Sequence, residues 1–131
     1  MTPLGFKRGW TQFPNSLIDL YMPKLTDTEW RLLTIVVRQT VGWHETETGR
    51  RKTMDWLTQS QLKRKTGRQS AAISSALASL IDRGMVVAYD SRLRVLGSPK
   101  QRRRSRGPMY LALSPWMINH FSTDKIGKNL F

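Results

Sequence analysis

Residues 58–84, TQSQLKRKTGRQSAAISSALASLIDRG, decide the fold predicted for this chain. Thr58 and Gln61 have the spacing of a capping box, in which each side chain bonds the backbone amide of the other residue. This pair predicts a helix of about two turns that runs to Lys65 and is broken by Thr66-Gly67. A second helix follows the break almost at once.

The second helix is predicted over residues 69–83, because apolar residues recur there at three- and four-residue intervals. The apolar stripe consists of Ala72, Ile73, Ala76, Leu77, Leu80 and Ile81, and the opposite face of Ser70, Ala71, Ser74, Ser75, Ala78 and Asp82. Gly84 is positioned to end the helix. Two helices joined by a short turn containing glycine are typical of a helix-turn-helix, whose second helix enters the major groove of DNA.

The segment after Gly84 predicts a wing. Residues 85–89 form a strand candidate, and residues 92–96 alternate Arg92 and Arg94 outward with Leu93 and Val95 inward around an Asp90-Ser91 turn. Residues 97–108 are basic and predict a solvated loop, and residues 109–113 form a last strand candidate. The pattern leaves open whether that last strand pairs with residues 85–89 or extends a three-stranded meander.

The segments before Thr58 and after the last strand supply the remaining elements. We expect a short helix at residues 17–21, a core helix from Asp27 to near Gly42, a strand within residues 52–57 and a helix from Ser114-Pro115 to Phe121. The predicted fold class is α+β, mainly α: a winged helix-turn-helix with an extended basic wing. Residues 13–121 would form this domain, between a flexible arm (1–12) and a tail (122–131).

Composition points to a polyanionic partner. The chain has 22 Lys and Arg against 9 Asp and Glu, a formal charge of +13 and a sequence pI near 11.1. Charge alone does not distinguish DNA, RNA and an anionic membrane, since all three attract cations. There is no Cys for disulfides or thiolate chemistry, and no apolar run long enough to span a membrane. A cytoplasmic setting, in the bacterial cytoplasm or nucleoid, is therefore expected.

A family resemblance accompanies these patterns. At Phe13-Pro14-Asn15, at residues 38–43 (RQTVGW), and through Gln61-Leu62, Thr66-Gly67 and the recognition helix, the chain resembles the N-terminal winged-helix domain of the phage replication protein O family. The resemblance implies origin binding during phage or plasmid replication initiation, with a separate region recruiting the replicative helicase. Members commonly carry basic residues early in the recognition helix, where this chain has Ser70, Ala71 and Ser75.

The candidate DNA-binding residues fall into two groups. Phosphate or minor-groove contacts are expected from basic residues around the two helices and in the wing: Lys63, Arg64, Lys65, Arg68, Arg92, Arg94, Lys100, Arg102, Arg103, Arg104 and Arg106. Base contacts are expected from the first turns of the second helix: Arg68, Gln69, Ser70, Ser74 and Ser75. Arg and Gln can form bidentate bonds to guanine and adenine, whereas Ser discriminates poorly between bases.

Other residues are expected to serve the fold. Trp30, Trp43, Trp56 and Trp116 lie beside core-like positions and are predicted to pack inside, whereas Trp10 lies in the arm and could either stack on a base or anchor the arm. His44, Glu45 and Glu47 are too few for a metal site and lack the third member of a catalytic triad. We therefore expect no enzymatic activity, no metal and no cofactor.

Several functions remain open at this point. A double-stranded DNA-binding replication factor is the leading hypothesis, and a transcriptional repressor of a mobile element is its closest rival. A winged-helix protein-interaction module and an RNA-binding module are the alternatives from other classes. A replicative helicase and a second copy of the chain, forming a homodimer, are the candidate protein partners.

Overall fold

The structure, a computed structural model, describes residues 11–40, 54–105 and 108–122. In chain order it contains a π-helix (Leu17–Tyr21), a 3₁₀-helix (Met22–Lys24), α1 (Asp27–Gln39), β1 (Met54–Leu57), α2 (Gln59–Thr66), α3 (Ser70–Asp82), β2 (Val86–Tyr89), α4 (Pro99–Arg104), β3 (Met109–Leu113) and α5 (Pro115–Ser122). The predicted arm and tail lie outside the described residues, apart from residues 11, 12 and 122.

Capping boxes begin α1 and α2 where the sequence predicts them. In α1 the Thr26 amide donates to Glu29 at 2.8 Å, and the Glu29 amide donates to the Thr26 hydroxyl at 3.2 Å. In α2 the corresponding bonds between Thr58 and Gln61 are 2.8 and 3.1 Å. Each box satisfies two amides that the first turn of a helix leaves without a partner.

Gly84 turns the chain from α3 into β2. It adopts φ 74°, in the left-handed region that glycine enters without steric cost. Its amide donates to the Ile81 carbonyl at 2.9 Å and the Met85 amide donates to the Leu80 carbonyl at 3.0 Å. These two bonds form a Schellman motif, so the end of α3 is fixed as the sequence predicts.

The three strands form one antiparallel sheet in the order β1-β3-β2. In the middle strand β3, Tyr110 lies opposite both Trp56 of β1 and Tyr89 of β2. This answers the question that the sequence leaves open, because the last strand pairs with β2 around an enlarged wing and also with β1. The order helix, strand, helix, helix, strand, wing, strand confirms the winged-helix fold.

The core lies between α1, α3 and the sheet. Its fully buried side chains include Leu32, Leu33, Val36, Leu57, Leu62, Ile73, Leu80, Leu111 and Met117. Burying each of the larger aliphatic side chains contributes about 1.5 to 3 kcal/mol. In α3 the buried residues are Ile73, Ala76, Leu77 and Leu80, which confirms the apolar stripe and leaves the serine face outside.

Glu29 is a buried carboxylate that joins the start of α1 to the end of α3. It is 3% exposed, accepts a 2.5 Å hydrogen bond from the Ser79 hydroxyl and lies 3.6 Å from the Arg83 guanidinium. Burial alone would raise the pKa of Glu29, but hydrogen bonds from Ser79 and Thr26 and the charge of Arg83 together hold it below its ordinary value.

The wing differs from its prediction in two ways. Residues 92–96 form no strand; a single bridge joins Tyr89 to Val95, and Leu93 and Val95 are exposed rather than inward. The amides of Arg92 and Arg94 donate to the Asp90 carboxylate and hold this segment in a tight turn. Residues 97–108 contain α4 instead of a continuous loop, because Ser98 and Gln101 form a third capping box and Pro99 occupies the first turn.

Two of the tryptophans predicted to be core residues are exposed. Trp56 is 53% and Trp116 57% exposed, because their neighbours Leu57 and Met117 take the inward positions on β1 and α5. Trp56 instead packs against Tyr110 across the sheet, with ring centroids 6.3 Å apart. Trp30 does pack on the core, as predicted. Trp10 and Trp43 lie outside the described residues.

The segments flanking α1 also differ in detail. The expected first helix is a π-helix, and a 3₁₀-helix that contains Pro23 follows it directly. The core helix ends at Gln39, earlier than the predicted end near Gly42, which lies outside the described residues. At the C-terminal end, α5 begins at Pro115 as expected.

We predict that Glu29→Gln flattens the acid dependence of folding. The folded-state pKa of Glu29 is lowered, so its stabilisation is present above the ordinary glutamate pKa and is lost as the pH falls through the folded-state pKa. Urea unfolding at a series of pH values measures how the free energy of unfolding depends on pH.

Glu29→Ala should lower the free energy of unfolding by about 2 to 4 kcal/mol, since it removes a helix cap and leaves Ser79 without its acceptor.

The control is Asp27→Asn, which makes the same charge change at an exposed position of the same helical turn. It should change the free energy of unfolding by less than about 1 kcal/mol. An acid dependence of Glu29→Gln equal to that of the wild type would contradict the role given to Glu29.

Candidate nucleic-acid interface

The turn between α2 and α3 is held by local and distant bonds. Gly67 adopts φ 70° and its amide donates to the Lys63 carbonyl at 2.9 Å. The buried Thr66 hydroxyl accepts from the Arg68 amide at 3.1 Å. Arg31 of α1 donates to the Thr66 carbonyl at 2.6 Å, bringing a cation to the C-terminal end of α2. Three separate bonds therefore fix the direction in which α3 leaves the turn.

Arg31 is a positioning residue that sequence reasoning missed. Its contact joins residues 35 positions apart, and no spacing rule connects them. The sequence offers one weak signal. The last carbonyls of α2 need donors, and a basic residue on the polar side of α1 can supply one. That signal is too weak to select Arg31 over Arg38, the other basic residue of α1.

The predicted base-reading residues share the exposed face of α3. Gln69, Ser70, Ser74 and Ser75 are exposed and Arg68 is partly exposed. Gln69 is the N-cap residue, and its side chain makes no capping bond. The first amides of α3 therefore have no side-chain cap from Gln69, and the serine side chains leave room for close approach of another backbone.

A basic group lies on α2, before the turn. Lys63, Arg64 and Lys65 are all exposed in the last turn of that helix. Cations at this end of a helix complement its dipole, which is a structural reason for their presence. Their exposure leaves all three ammonium or guanidinium groups accessible to an anionic ligand.

Helix α4 lies between α3 and the turn formed by residues 90–96. One cleft, about 230 Å³ in volume, separates α3 from α4 and is lined by Ser74, Leu77, Pro99 and Arg103 among others. A second cleft, about 420 Å³, separates α4 from that turn and is lined by Asp90, Arg94 and Arg104 among others. The two clefts therefore place α4 between α3 on one side and the turn on the other.

Arg102 differs from its neighbours on α4. It is half-buried and donates to the Leu96 carbonyl at 3.1 Å, which ties α4 to the end of the turn. Burial lowers the pKa of Arg102, the nearby charge of Asp82 opposes that change, and Arg103 adds to it. Lys100, Arg103 and Arg104 are exposed. Arg106, predicted with them as a DNA contact, lies outside the described residues.

The carboxylate of Asp90 organises the turn. One oxygen accepts from the amides of Arg92 at 2.9 Å and Arg94 at 2.8 Å, and the other accepts from the Arg94 side chain at 2.9 Å. The hydrogen bond from the Arg94 amide is the main cause of a lowered pKa for Asp90, which burial opposes and the bonds from Arg92 and the Arg94 side chain reinforce. Arg92 and Arg94 themselves stay exposed.

Two other classes of site are absent from the part of the chain that the structure describes. Within residues 11–40, 54–105 and 108–122, no group of three or more His, Asp or Glu side chains could hold a metal ion. No helix among those residues is long and apolar enough to cross a bilayer. His44, Glu45 and Glu47 lie outside this part.

Comparison with known proteins gives one match. A family model described as bacteriophage replication protein O matches residues 5–98, more than two thirds of the chain. No match was found among curated proteins, and none among solved structures. The matched region contains the helix-turn-helix, β2 and the Asp90 turn, and it ends at Ser98, the N-cap of α4. The arginines of α4 thus lie beyond the matched region.

We predict that Asp90→Ala releases the turn of residues 90–96 while the remainder of the domain stays folded. The amides of Arg92 and Arg94 lose their acceptor, so their hydrogen exchange should accelerate. In the wild type, the protection of these amides, measured relative to unstructured peptide at each pH, should also fall as the pH falls through the lowered pKa of Asp90. Ser91→Ala, at an exposed position in the same turn, should leave exchange unchanged; equal exchange in Asp90→Ala and the wild type would contradict the prediction.

Proposed function

Since the chain belongs to the bacteriophage replication protein O family, we propose that it binds double-stranded DNA at a replication origin in the bacterial cytoplasm and acts in initiation. Helix α3 enters the major groove, and the basic residues of α2, α4 and the Asp90 turn contact the flanking phosphates. The family supports a role in replication, and the winged-helix fold supports contact through α3.

One observation carries this proposal. The exposed face of α3 bears small side chains. Exposed basic residues lie on the helices next to it: Lys63–Lys65 on the preceding α2, and Arg103 on α4, which lines a cleft together with Ser74 and Leu77 of α3. A helix that enters a groove needs a slim outer face, and the phosphate rows on either side of that groove are where cations bind duplex DNA. A solvated basic surface alone would not require exposed cations on both neighbouring helices.

Affinity and sequence choice fall to different residues in this arrangement. Each cation that neutralises a phosphate releases counterions, so the basic groups supply binding energy to any duplex. Gln69 and Arg68 are the residues whose side chains can form bidentate bonds with base edges. The serines of α3 contribute little discrimination, and the uncapped amides at the start of α3 favour a phosphate.

The closest rival function is repression of transcription from a mobile element. Both functions need the same contacts with DNA, so the location of the bound sites distinguishes them. Selection of bound fragments from the source replicon should recover repeats inside an origin. Recovery of a site that overlaps the promoter of the chain's own gene would favour repression instead.

RNA binding and a purely protein-binding role are tested by a mobility-shift titration over a salt series. The proposal expects duplex DNA to bind more tightly than single-stranded DNA or hairpin RNA. Weak binding to every duplex at low salt would overturn it.

A replicative helicase and a second copy of the chain stay predicted protein partners. Co-purification tests the helicase, and sedimentation with DNA present tests the homodimer.

We predict that Arg103→Ala and Arg104→Ala each lower affinity for all duplex sequences alike. Each removes an exposed cation, so the slope of log K against log salt should fall by about 0.9 per substitution and about twice that in the double variant. Mobility shifts at several salt concentrations measure the slope. Arg102→Ala should instead loosen α4, because Arg102 binds the Leu96 carbonyl.

The matched control is Lys24→Ala, which removes an exposed cation near Arg83, beyond the C-terminal end of α3. The start of α3 is about 18 Å away along that helix, so the slope should not change. An unchanged slope in the Arg103→Ala, Arg104→Ala double variant would mean that α4 does not contact the phosphates.

We predict that Gln69→Ala changes the relative affinities of different sites. Loss of a bidentate base contact should cost about 1 to 3 kcal/mol at the base pair that Gln69 reads and little at sites lacking it. Competition between recovered fragments measures the ratio. Lys65→Ala should weaken the same fragments equally, and equal weakening by Gln69→Ala would show that Gln69 is not a base reader.

A further inference from the structure

Leu93 has a strained backbone. Among the described residues it is the one non-glycine residue with positive φ, at 62°. In that region the Cβ of an L-residue crowds the following carbonyl, and glycine, asparagine and aspartate are the residues that enter it most readily. Leucine is a poor choice for such a position unless its side chain serves a purpose.

The side chain of Leu93 gains little from the fold in return. It is 56% exposed, so burial does not offset the strain. Its neighbours on either side, Arg92 and Arg94, are exposed as well. An apolar side chain thus projects to solvent between two cations at the end of the wing.

The bonds made by Asp90 maintain this conformation. Its carbonyl accepts from the Leu93 amide at 2.9 Å, and its carboxylate accepts from the amides on both sides of Leu93. The amides of three consecutive residues, 92–94, therefore donate to Asp90, and Leu93 is presented from a fixed turn before any ligand arrives.

We propose that Leu93 is an apolar wedge that enters the minor groove of bound DNA, opens one base step and bends the duplex. This inference rests on the proposed binding of duplex DNA through α3. Apolar side chains that separate stacked bases are the means by which many minor-groove proteins bend DNA, and flanking arginines are attracted to the negative potential of that groove.

The position of the turn supports the minor groove as the target. It lies on the side of α4 away from α3. With α3 in the major groove, the phosphates bordering that groove face α4, and the next groove along the duplex, a minor groove, faces the turn. Arg92 and Arg94 would then bracket the step that Leu93 opens.

The test uses the full chain and ring closure of a linear duplex of about 150 base pairs, close to one persistence length, where any bend accelerates ligation into circles. This readout does not require a known target sequence. A second probe is an alternating A·T duplex containing 2-aminopurine, whose fluorescence rises when bases unstack. The wild type should accelerate ring closure and raise the fluorescence.

Two variants remove the wedge without disturbing the turn. Leu93→Gly and Leu93→Asn favour positive φ, so the free protein should unfold at a higher temperature than the wild type. Both should still bind duplex with an unchanged salt slope, because no charge is altered, but should lose the acceleration of ring closure and the fluorescence rise. Leu93→Met should keep both, and Val95→Ala, which shortens the other exposed apolar side chain of this segment, should behave as the wild type.

The outcomes separate the wedge from the binding on which it rests. A wild type that binds duplex without bending it, or a Leu93→Asn variant that bends as well as the wild type, would overturn the wedge and leave the proposed function standing. A wild type that binds no duplex in the mobility-shift titration would overturn both.

Discussion

The hydrogen bond from Ser79 to Glu29 sets the orientation on which the remaining interface depends. Packing of the apolar stripe of α3 on α1 allows some rotation about the helix axis, because apolar contacts are not directional. A buried carboxylate is directional: it must receive donors or lose its charge. With Glu29 also bound to its own capping residue, α3 is fixed at its C-terminal end, while Arg31 and Thr66 fix the turn at its other end. Burial of the apolar stripe turns the serine face outward, and these bonds fix its angle.

Charge is divided between support and contact within the same segments. Arg102 and Arg103 are adjacent on α4, yet one binds a backbone carbonyl and is half-buried, while the other is exposed. Likewise the Arg94 side chain is bound to Asp90 and remains largely exposed. A count of basic residues therefore overstates the number free to meet phosphates. By fixing α4 to the Leu96 carbonyl, Arg102 also fixes where its exposed neighbours Arg103 and Arg104 lie.

Sequence reasoning succeeded where structure is set by near neighbours. The capping boxes at Thr26 and Thr58 and the glycine after α3 involve residues a few positions apart, so the helix bounds and the fold class could be derived. Ser98 and Gln101 have the same spacing, but the run of arginines after them favours a solvated loop, so the sequence does not predict α4. Which face of β1 and α5 turns inward depends on how each packs on the core, through contacts with segments distant in the sequence, so the exposure of Trp56 and Trp116 does not follow from local spacing. The bond from Arg31 to the Thr66 carbonyl is not predicted for the same reason, because the two residues are distant in the sequence.

Because β3 lies in the middle of the sheet and pairs with β2, the wing segment between these two strands is a loop with both ends fixed in the sheet. Pairing of β2 with β3, from Val86 with Leu113 to Tyr89 with Tyr110, holds both ends of the intervening segment at fixed positions. Because loop-closure entropy grows only logarithmically, doubling the length of such a segment costs about 0.6 kcal/mol. Wing length can thus change in evolution with little effect on the core. A lineage could refit the same helix-turn-helix to differently spaced sites by altering this one segment, and an engineer could exchange the wing as a cassette.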